Sequence, residues 1–321
     1  MRHGFVIDPL ERFLPEADTT IAFMREAAAR GHGVWSCRID GLGVGEHGRA
    51  YAHLTELEVR PAGETPWYVA GATERRFLDE LDVVWMRKDP PFDMAFFYAT
   101  HLLSMVRPPT LVVNDPLALR DANEKLFALR FPELCPETLV TSRLDELYDF
   151  RERLGGEMIV KPLGGAGGAG IFHLHRDDRN VAVILETVTR QGSEYVMAQR
   201  YLPEIKNGDK RIILVEDEAV GAVLRMPKKG ESRANFHAGG TPHRTELTAR
   251  DREICATVGP ILRDMGIVFS GLDVIGEWLT EVNVTSPTGI REIHRLDGIQ
   301  IEKNILDAVE ERVRKRRQPA A

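Results

Sequence analysis

The segment IVKPLGGAGGAGIF, residues 159–172, restricts the fold more than any other stretch. From Gly165 to Gly170 it satisfies G-x-G-x-x-G, and Glu186 follows at about the distance of a ribose-binding acid. A dinucleotide-binding turn must open a helix, because the pyrophosphate rests on that helix's N-terminus. After Gly170 the chain instead reads Ile171-Phe172-His173-Leu174-His175, which alternates with period two and ends at the turn pair Asp177-Asp178. The unit is therefore strand, loop, strand. A P-loop is excluded too, since no Gly-Lys-Ser/Thr closes the run. What remains is a glycine-rich hairpin loop with Lys161 on the incoming strand. Glycines let backbone N–H groups approach phosphate oxygens, and a neighbouring lysine balances phosphate charge, as in the kinase manner of holding ATP. A mobile linker with a solvated lysine also fits these residues taken alone.

The flanking chain supplies the layers. GFVIDP (4–9) predicts a buried strand, and Thr19 or Thr20 is expected to cap a helix that stops near Gly31. HGVWSCR resumes as strand, completing a β-α-β unit. Residues 41–48 read as loop, 49–60 as an exposed strand, 81–86 and 110–115 as buried strands around a helix near 93–106. Alternating strands and helices imply parallel pairing. Beyond residue 120 the order becomes helix 142–154, strand 157–161, the glycine loop, strand 170–175, helix 181–191 and strand 194–202. Two long β segments, 210–227 and 268–285, flank a polar stretch at 228–241 and a helix near 248–265, and a helix at 299–316 closes the chain. Short turns between strand runs imply antiparallel α+β lobes.

Composition narrows the setting. A net charge of −7 argues against a general nucleic-acid binder, and the basic run ERVRKRRQPAA reads as the last turn of a helix plus a tail. Cys37, Cys135 and Cys255 are far apart and form no C-x-x-C pair, which suits a reducing cytoplasm. Asp8 and Glu11 interrupt the N-terminus before any apolar run of signal-peptide length, and no stretch approaches the ~20 apolar residues of a membrane span. A soluble cytoplasmic protein is expected.

The second chemical signal is SGLDVIGEWLTEVNVTSPTGIR, residues 270–291. Gly276-Glu277 is a natural hairpin turn, which sets Asp273 across from Glu281 and leaves Asn283 on the same face as Glu281. Facing carboxylates repel unless a cation joins them. Carboxylate and amide oxygens without His or Cys select a hard ion, Mg²⁺ above all. Solvated acids on an exposed strand are the plain alternative. His173 and His175 share a strand face but lack a third ligand in the sequence, so no zinc site is expected there.

Together the glycine loop, Lys161 and the acid–acid–amide triplet resemble an ATP-grasp ligase. MRKDPPFD (86–93), LRDANEKLF (119–127), PETLVT (136–141), MAQRYLP (197–203), NGDKR (207–211) and LTEVNVTSPTGIREI (279–293) narrow the resemblance to the bacterial glutathione synthetases, over essentially the whole chain. The resemblance implies an α/β fold with α+β lobes, in which a Rossmann-like pre-ATP-grasp domain (1–122) precedes two ATP-grasp lobes (123–200 and 201–321). It implies that Lys125, Lys161, Gly164, Gly165, Gly167, Gly168, Gly170, Gln199, Tyr201, Leu202, Asp209 and Arg211 contact the nucleotide. Asp273, Glu281 and Asn283 would ligate Mg²⁺, or Mn²⁺ in its place. Arg87, Arg225, Ser286, Thr288 and Arg291 would hold substrate, and Lys161, Arg211, Arg225 and Arg233 would serve the reaction, with 228–241 as a lid. The implied activity joins γ-glutamylcysteine to glycine at the expense of ATP, through an acyl phosphate, in a homo-oligomer (a tetramer by family analogy). The chain departs from the family at Thr241-Pro242-His243-Arg244, where a basic residue tends to follow the glycine pair. A sibling ligase such as a glutamate-adding enzyme, or a nucleotide-binding regulator without catalysis, are the competing readings.

Overall fold

In the computed structural model, which describes residues 1–231 and 233–318, strand β1 (Arg2–Ile7) is buried beyond its first residue. Helix α1 (Thr19–Ala29) leads to β2 (Gly33–Arg38), parallel to β1. The cap of α1 is Asp18 rather than Thr19 or Thr20: its carboxylate accepts the N–H groups of Thr20 and Ile21 at 2.6 and 3.1 Å. Residues 41–48 are not plain loop, because β3 (Leu42–Val44) pairs antiparallel with β4 (Ala50–Val59). β5 (Tyr68–Phe77), which no pattern marks in the sequence, adds to the other edge of β4. β6 (Val83–Met86), α2 (Met94–Leu103), β7 (Leu111–Val113) and α3 (Pro116–Asp121) complete this part. The sheet runs β3-β4-β2-β1-β6-β7, and the β2-β1-β6-β7 stretch is parallel, as strand–helix alternation requires.

The second sheet comprises β8 (Thr138–Thr141), then after α4 (Leu144–Arg153) β9 (Met158–Pro162) and β10 (Phe172–Leu174), and after α5 (Val181–Val188) β11 (Val196–Arg200). Its order, β10-β9-β11-β8, is antiparallel throughout, so the glycine loop does join two antiparallel strands. Glu186 lies within α5 as an ordinary helix residue.

The third sheet is built from β12 (Asp209–Val215), β13 (Glu218–Met226), β14 (Thr241–His243), then β15 (Phe269–Ile275) and β16 (Trp278–Asn283) after α6 (Ala249–Asp264). Its order is β14-β13-β12-β15-β16. Segment 210–227 is thus a hairpin, turned at Glu216 with φ of 56°. The C-terminal region holds α7 (Ile290–Asp297) and α8 (Ile301–Arg317), separated at Gly298, where φ is 73°. The basic run of α8 is consumed in local pairing: Arg312 binds Glu216, Arg317 binds Asp82, and Arg316 donates to the Thr110 carbonyl at 3.0 Å. No described helix is long and apolar enough to cross a membrane.

One apolar cluster spans the first and third sheets and α8, with Phe5, Phe23, Trp85, Phe269, Ile305 and Val309 fully or almost fully buried. Each such side chain stabilises the fold by roughly 1.5–3 kcal/mol. Asn114, just beyond β7, adds a polar tie across the same boundary. Its amide donates to the carbonyls of Phe269 and Val284, each at 2.8 Å, and its oxygen accepts the N–H groups of Val268 and Phe269 at 2.9 and 3.1 Å.

His3 shows how strictly this core excludes charge. Trp85 Nε1–H donates to His3 Nδ1 at 3.0 Å, which leaves His3 Nε2 to donate to His32 Nδ1 at 3.1 Å. Burial, helped by His32, the N-terminus and Arg30, pushes the His3 pKa down to about 3. A histidine that is harder to protonate when folded stabilises fully above its unfolded pKa, and that contribution is lost as pH falls from about 6.5 toward 3. The expected loss from this group between pH 7 and pH 5 is about 2 kcal/mol. Urea unfolding of the wild type and of His3→Gln at both pH values measures it: the pH dependence should be smaller in the variant by that amount.

Candidate active site

A cavity of about 710 Å³ opens where β9, β11, β12, β15 and β16 meet the glycine loop and residues 233–237. Its charged wall originates in the β15–β16 hairpin. Gly276 turns with φ of 60°, and the register sets Asp273 opposite Glu281, and Gly271 opposite Asn283. On the adjoining strand Arg211 faces Asp273, and Arg225 of β13 faces Asp209. Arg211 grips Asp273 with both prongs, Nε at 2.5 Å and Nη2 at 3.0 Å, and Arg225 Nη2 reaches the same carboxylate at 2.9 Å. Space for this fork comes from Gly271, where a Cβ would stand 2.8 Å from Arg211 Cδ.

Burial alone would raise both acids of this cluster, yet they diverge. At Asp273 the penalty of burial is outweighed by Arg211 and Arg225, which hold the carboxyl well below its usual range. At Asp209 burial wins over Arg225 and Arg211, with Asp273 adding repulsion, and the pKa rises to about 6. Asp209 is bound by Arg225 through one oxygen only; its Oδ1 is buried with no partner among the described residues, as is Arg225 Nε. Such orphaned groups are rare in a finished core and mark a place for a further polar ligand.

Two lysines border the same wall. Lys125 Nζ donates to the Gly165 carbonyl at 2.5 Å and pairs with Glu281 at 2.9 Å, linking the glycine loop to the hairpin. Lys161 is buried, its pKa lowered chiefly by desolvation with Glu281 opposing, and its Nζ donates to the Thr280 carbonyl at 3.4 Å. Asn283 donates to the Gly271 carbonyl at 3.2 Å, and its amide oxygen takes no protein donor among the described residues. Asp273, Glu281 and Asn283 thus offer oxygen atoms only, a set suited to a hard cation.

Gly165, Gly167 and Gly168 lie on the cavity wall, with Gln199, Tyr201, Leu202, Asp209, Arg211, Arg225, Arg233, Ser286 and Thr288. Gly164 and Gly170 do not: the first has open space beside it, and the second, with φ of 73°, packs on Pro162. Ile159, Tyr201, Leu202, Ile205 and Ile275 add apolar lining to the cavity. Within the polar stretch 228–241, Ser232 is outside the described residues. Arg233, Asn235 and His237 lie against the glycine loop. Arg233 donates to the Gly168 carbonyl at 3.2 Å and pairs with Glu231 at 2.7 Å. Asn235 sits so near Gly168 that a Cβ there would lie 2.5 Å from its amide nitrogen.

Two further expected residues are elsewhere. Arg291 is off the cavity wall, donating to the Glu16 carbonyl at 3.3 Å. Arg87 is buried behind the wall, donating to Thr20 Oγ1 at 3.2 Å and to the Pro287 carbonyl at 3.3 Å. It forms no pair with Asp89, and burial lowers its pKa to about 10. Glu124 went unnoticed in the sequence although it precedes Lys125 in the NEKLF motif. One of its oxygens accepts Val284 N–H, Thr285 N–H and Thr285 Oγ1–H at 3.0, 3.1 and 2.7 Å, and its carbonyl accepts Val282 N–H at 2.8 Å. It thereby clamps the strand that carries Glu281 and Asn283.

Comparison with known proteins matches the sequence to one family. Residues 1–120 fit the family model for the N-terminal domain of prokaryotic glutathione synthetase, and residues 124–298 fit its ATP-grasp domain. The glutathione synthetase of Gloeobacter violaceus is 48% identical over 313 residues, covering 96% of each chain. That of Brucella melitensis is 48% identical over 295 residues, covering 92% of this chain and 94% of its own. Among solved structures, D-cycloserine synthetase DcsG superposes with a TM-score of 0.69 over 98% of this chain and 100% of its own; at 13% identity the likeness is one of fold. The chain belongs to the prokaryotic glutathione synthetase family, with an ATP-grasp fold.

Proposed function

We propose that this protein is a glutathione synthetase, ligating γ-glutamylcysteine to glycine with conversion of ATP to ADP and phosphate. The observation that carries the reading is one wall: Lys125, Lys161, Arg211 and Arg225 facing Asp273, Glu281 and Asn283 beneath a glycine loop covered by residues 233–237. Near-half identity to glutathione synthetases along almost the whole chain supports it over the sibling ligases and over a regulator without catalysis.

In this reading the nucleotide base enters the apolar slot of Ile159, Tyr201 and Leu202, with Gln199 beside it. The phosphates lie under Gly165, Gly167 and Gly168, against Lys125 and Lys161. Asp273, Glu281 and Asn283 would hold Mg²⁺, or Mn²⁺, which would supply positive charge against the phosphates. The dipeptide's C-terminal carboxylate oxygen attacks the γ-phosphorus and ADP leaves. The glycine amine then adds to the activated carbonyl, and the tetrahedral intermediate expels phosphate. No protein nucleophile is required, because the chain's contribution is positioning and charge balance. Arg211 and Arg225, locked on Asp273, present their remaining N–H groups to charge in transit. Arg233 and its neighbours keep water from the acyl phosphate. Ser286 and Thr288 border the dipeptide, and Arg87 fixes the Pro287 carbonyl between them. We place the enzyme in the cytoplasm as a homo-oligomer, a tetramer, with domains at 1–122, 123–200 and 201–321; the buried, unpaired cysteines suit that compartment.

Phosphate release from MgATP should require γ-glutamylcysteine and glycine together; release independent of the dipeptide would contradict the assignment. Lys161→Met should lower kcat by about 10²–10³-fold, the usual cost of losing one preorganised charge donor. Glu124→Ala should raise the Mg²⁺ concentration for half-maximal activity about tenfold, and Glu124→Gln less, since the amide oxygen still accepts. A magnesium titration of the three proteins checks the order.

A further inference from the structure

We propose that Glu157, His173 and His175 form a second metal site, separate from the oxygen cluster, for a borderline divalent ion of the zinc class. The sequence offered two histidines on one strand face and no third ligand. The fold supplies it. β10 runs antiparallel to β9 with Leu174 opposite Met158, so the next position brings Glu157 opposite His175. His173 Nε2 lies 2.8 Å from Glu157 Oε1 and His175 Nδ1 lies 3.6 Å from the same oxygen. One ligand atom from each residue falls within 4.8 Å of the other two, a spread an ion can bridge with small side-chain rotations. The imidazole rings stand 3.9 Å apart, centroid to centroid.

The donor set decides the ion. Two imidazole nitrogens and one carboxylate oxygen suit Zn²⁺ and its neighbours and disfavour Mg²⁺, which selects oxygen ligands. Solvent reaches the cluster from the His175 side, whose side chain is 66% exposed, so water completes a four-coordinate shell. The inner side is packed: the His173 side chain is only 11% exposed, and its ring stacks on Tyr201 at 3.9 Å. An ion held there cross-links the two strands that carry the glycine loop. No described cysteine competes, since all are buried.

The test uses the full-length protein, stripped with chelator and titrated with Co²⁺ in excess Mg²⁺, which competes for sites built of oxygen ligands. We expect one equivalent of intense visible absorption, as nitrogen-ligated tetrahedral cobalt gives, displaced by Zn²⁺. His175→Ala and Glu157→Gln should weaken binding at least about tenfold, and both positions are exposed enough to leave folding intact. Glu281→Gln should keep the band. Zn²⁺ should also raise the Tm of the wild type but not of His175→Ala. Absence of the band, its persistence in His175→Ala, or its loss in Glu281→Gln would overturn the proposal. None of these readouts depends on the ligase reaction.

Discussion

Asp273 is kept charged in the middle of the third sheet by two buried guanidinium groups, and the site is assembled outward from that contact. Breaking one partner of a buried ionic group costs roughly 3–5 kcal/mol, because the survivor is left uncompensated. The strands that bear Asp273, Arg211 and Arg225 are therefore bound to one register. From there the network reaches Asp209 on one side and the Thr288 carbonyl, at 3.2 Å from Arg211, on the other. Glu281, across the hairpin from Asp273, extends it through Lys125 to the glycine loop. Charges held this way need no reorganisation when a phosphoryl group moves among them, which is how preorganised electrostatics lowers a barrier.

The first sheet meets the site through buried polar contacts. Asn114 satisfies backbone groups of both β15 and the segment after β16. Arg87 reaches from the first sheet to Thr20 and to the Pro287 carbonyl, next to wall residues Ser286 and Thr288. The wall at Ser286 and Thr288 is thus positioned by hydrogen bonds from buried residues behind it.

Where local physics decided the outcome, the sequence could be read directly. Gly276 permits the tight turn, and with it the Asp273–Glu281 register. Alternation after Gly170 identified β10. Other features depend on partners far away in the chain. The turn at Glu216 uses a left-handed residue that is not glycine, and Arg312 from the last helix holds it. β5 is mostly exposed, so burial imposes no alternation to read. Glu124 acquires its role only from Val284 and Thr285, which lie 160 and 161 residues further along the chain. For Arg291 the motif was visible, yet the side chain turns to Glu16.

The central claim is that this charge network transfers a phosphoryl group to a substrate carboxylate without help from a protein nucleophile. Oxygen labelling tests it most directly. With ¹⁸O in the glycyl-accepting carboxylate of γ-glutamylcysteine, one turnover should deliver one labelled oxygen atom into the released phosphate. Phosphate free of label, with glutathione still formed, would contradict the account.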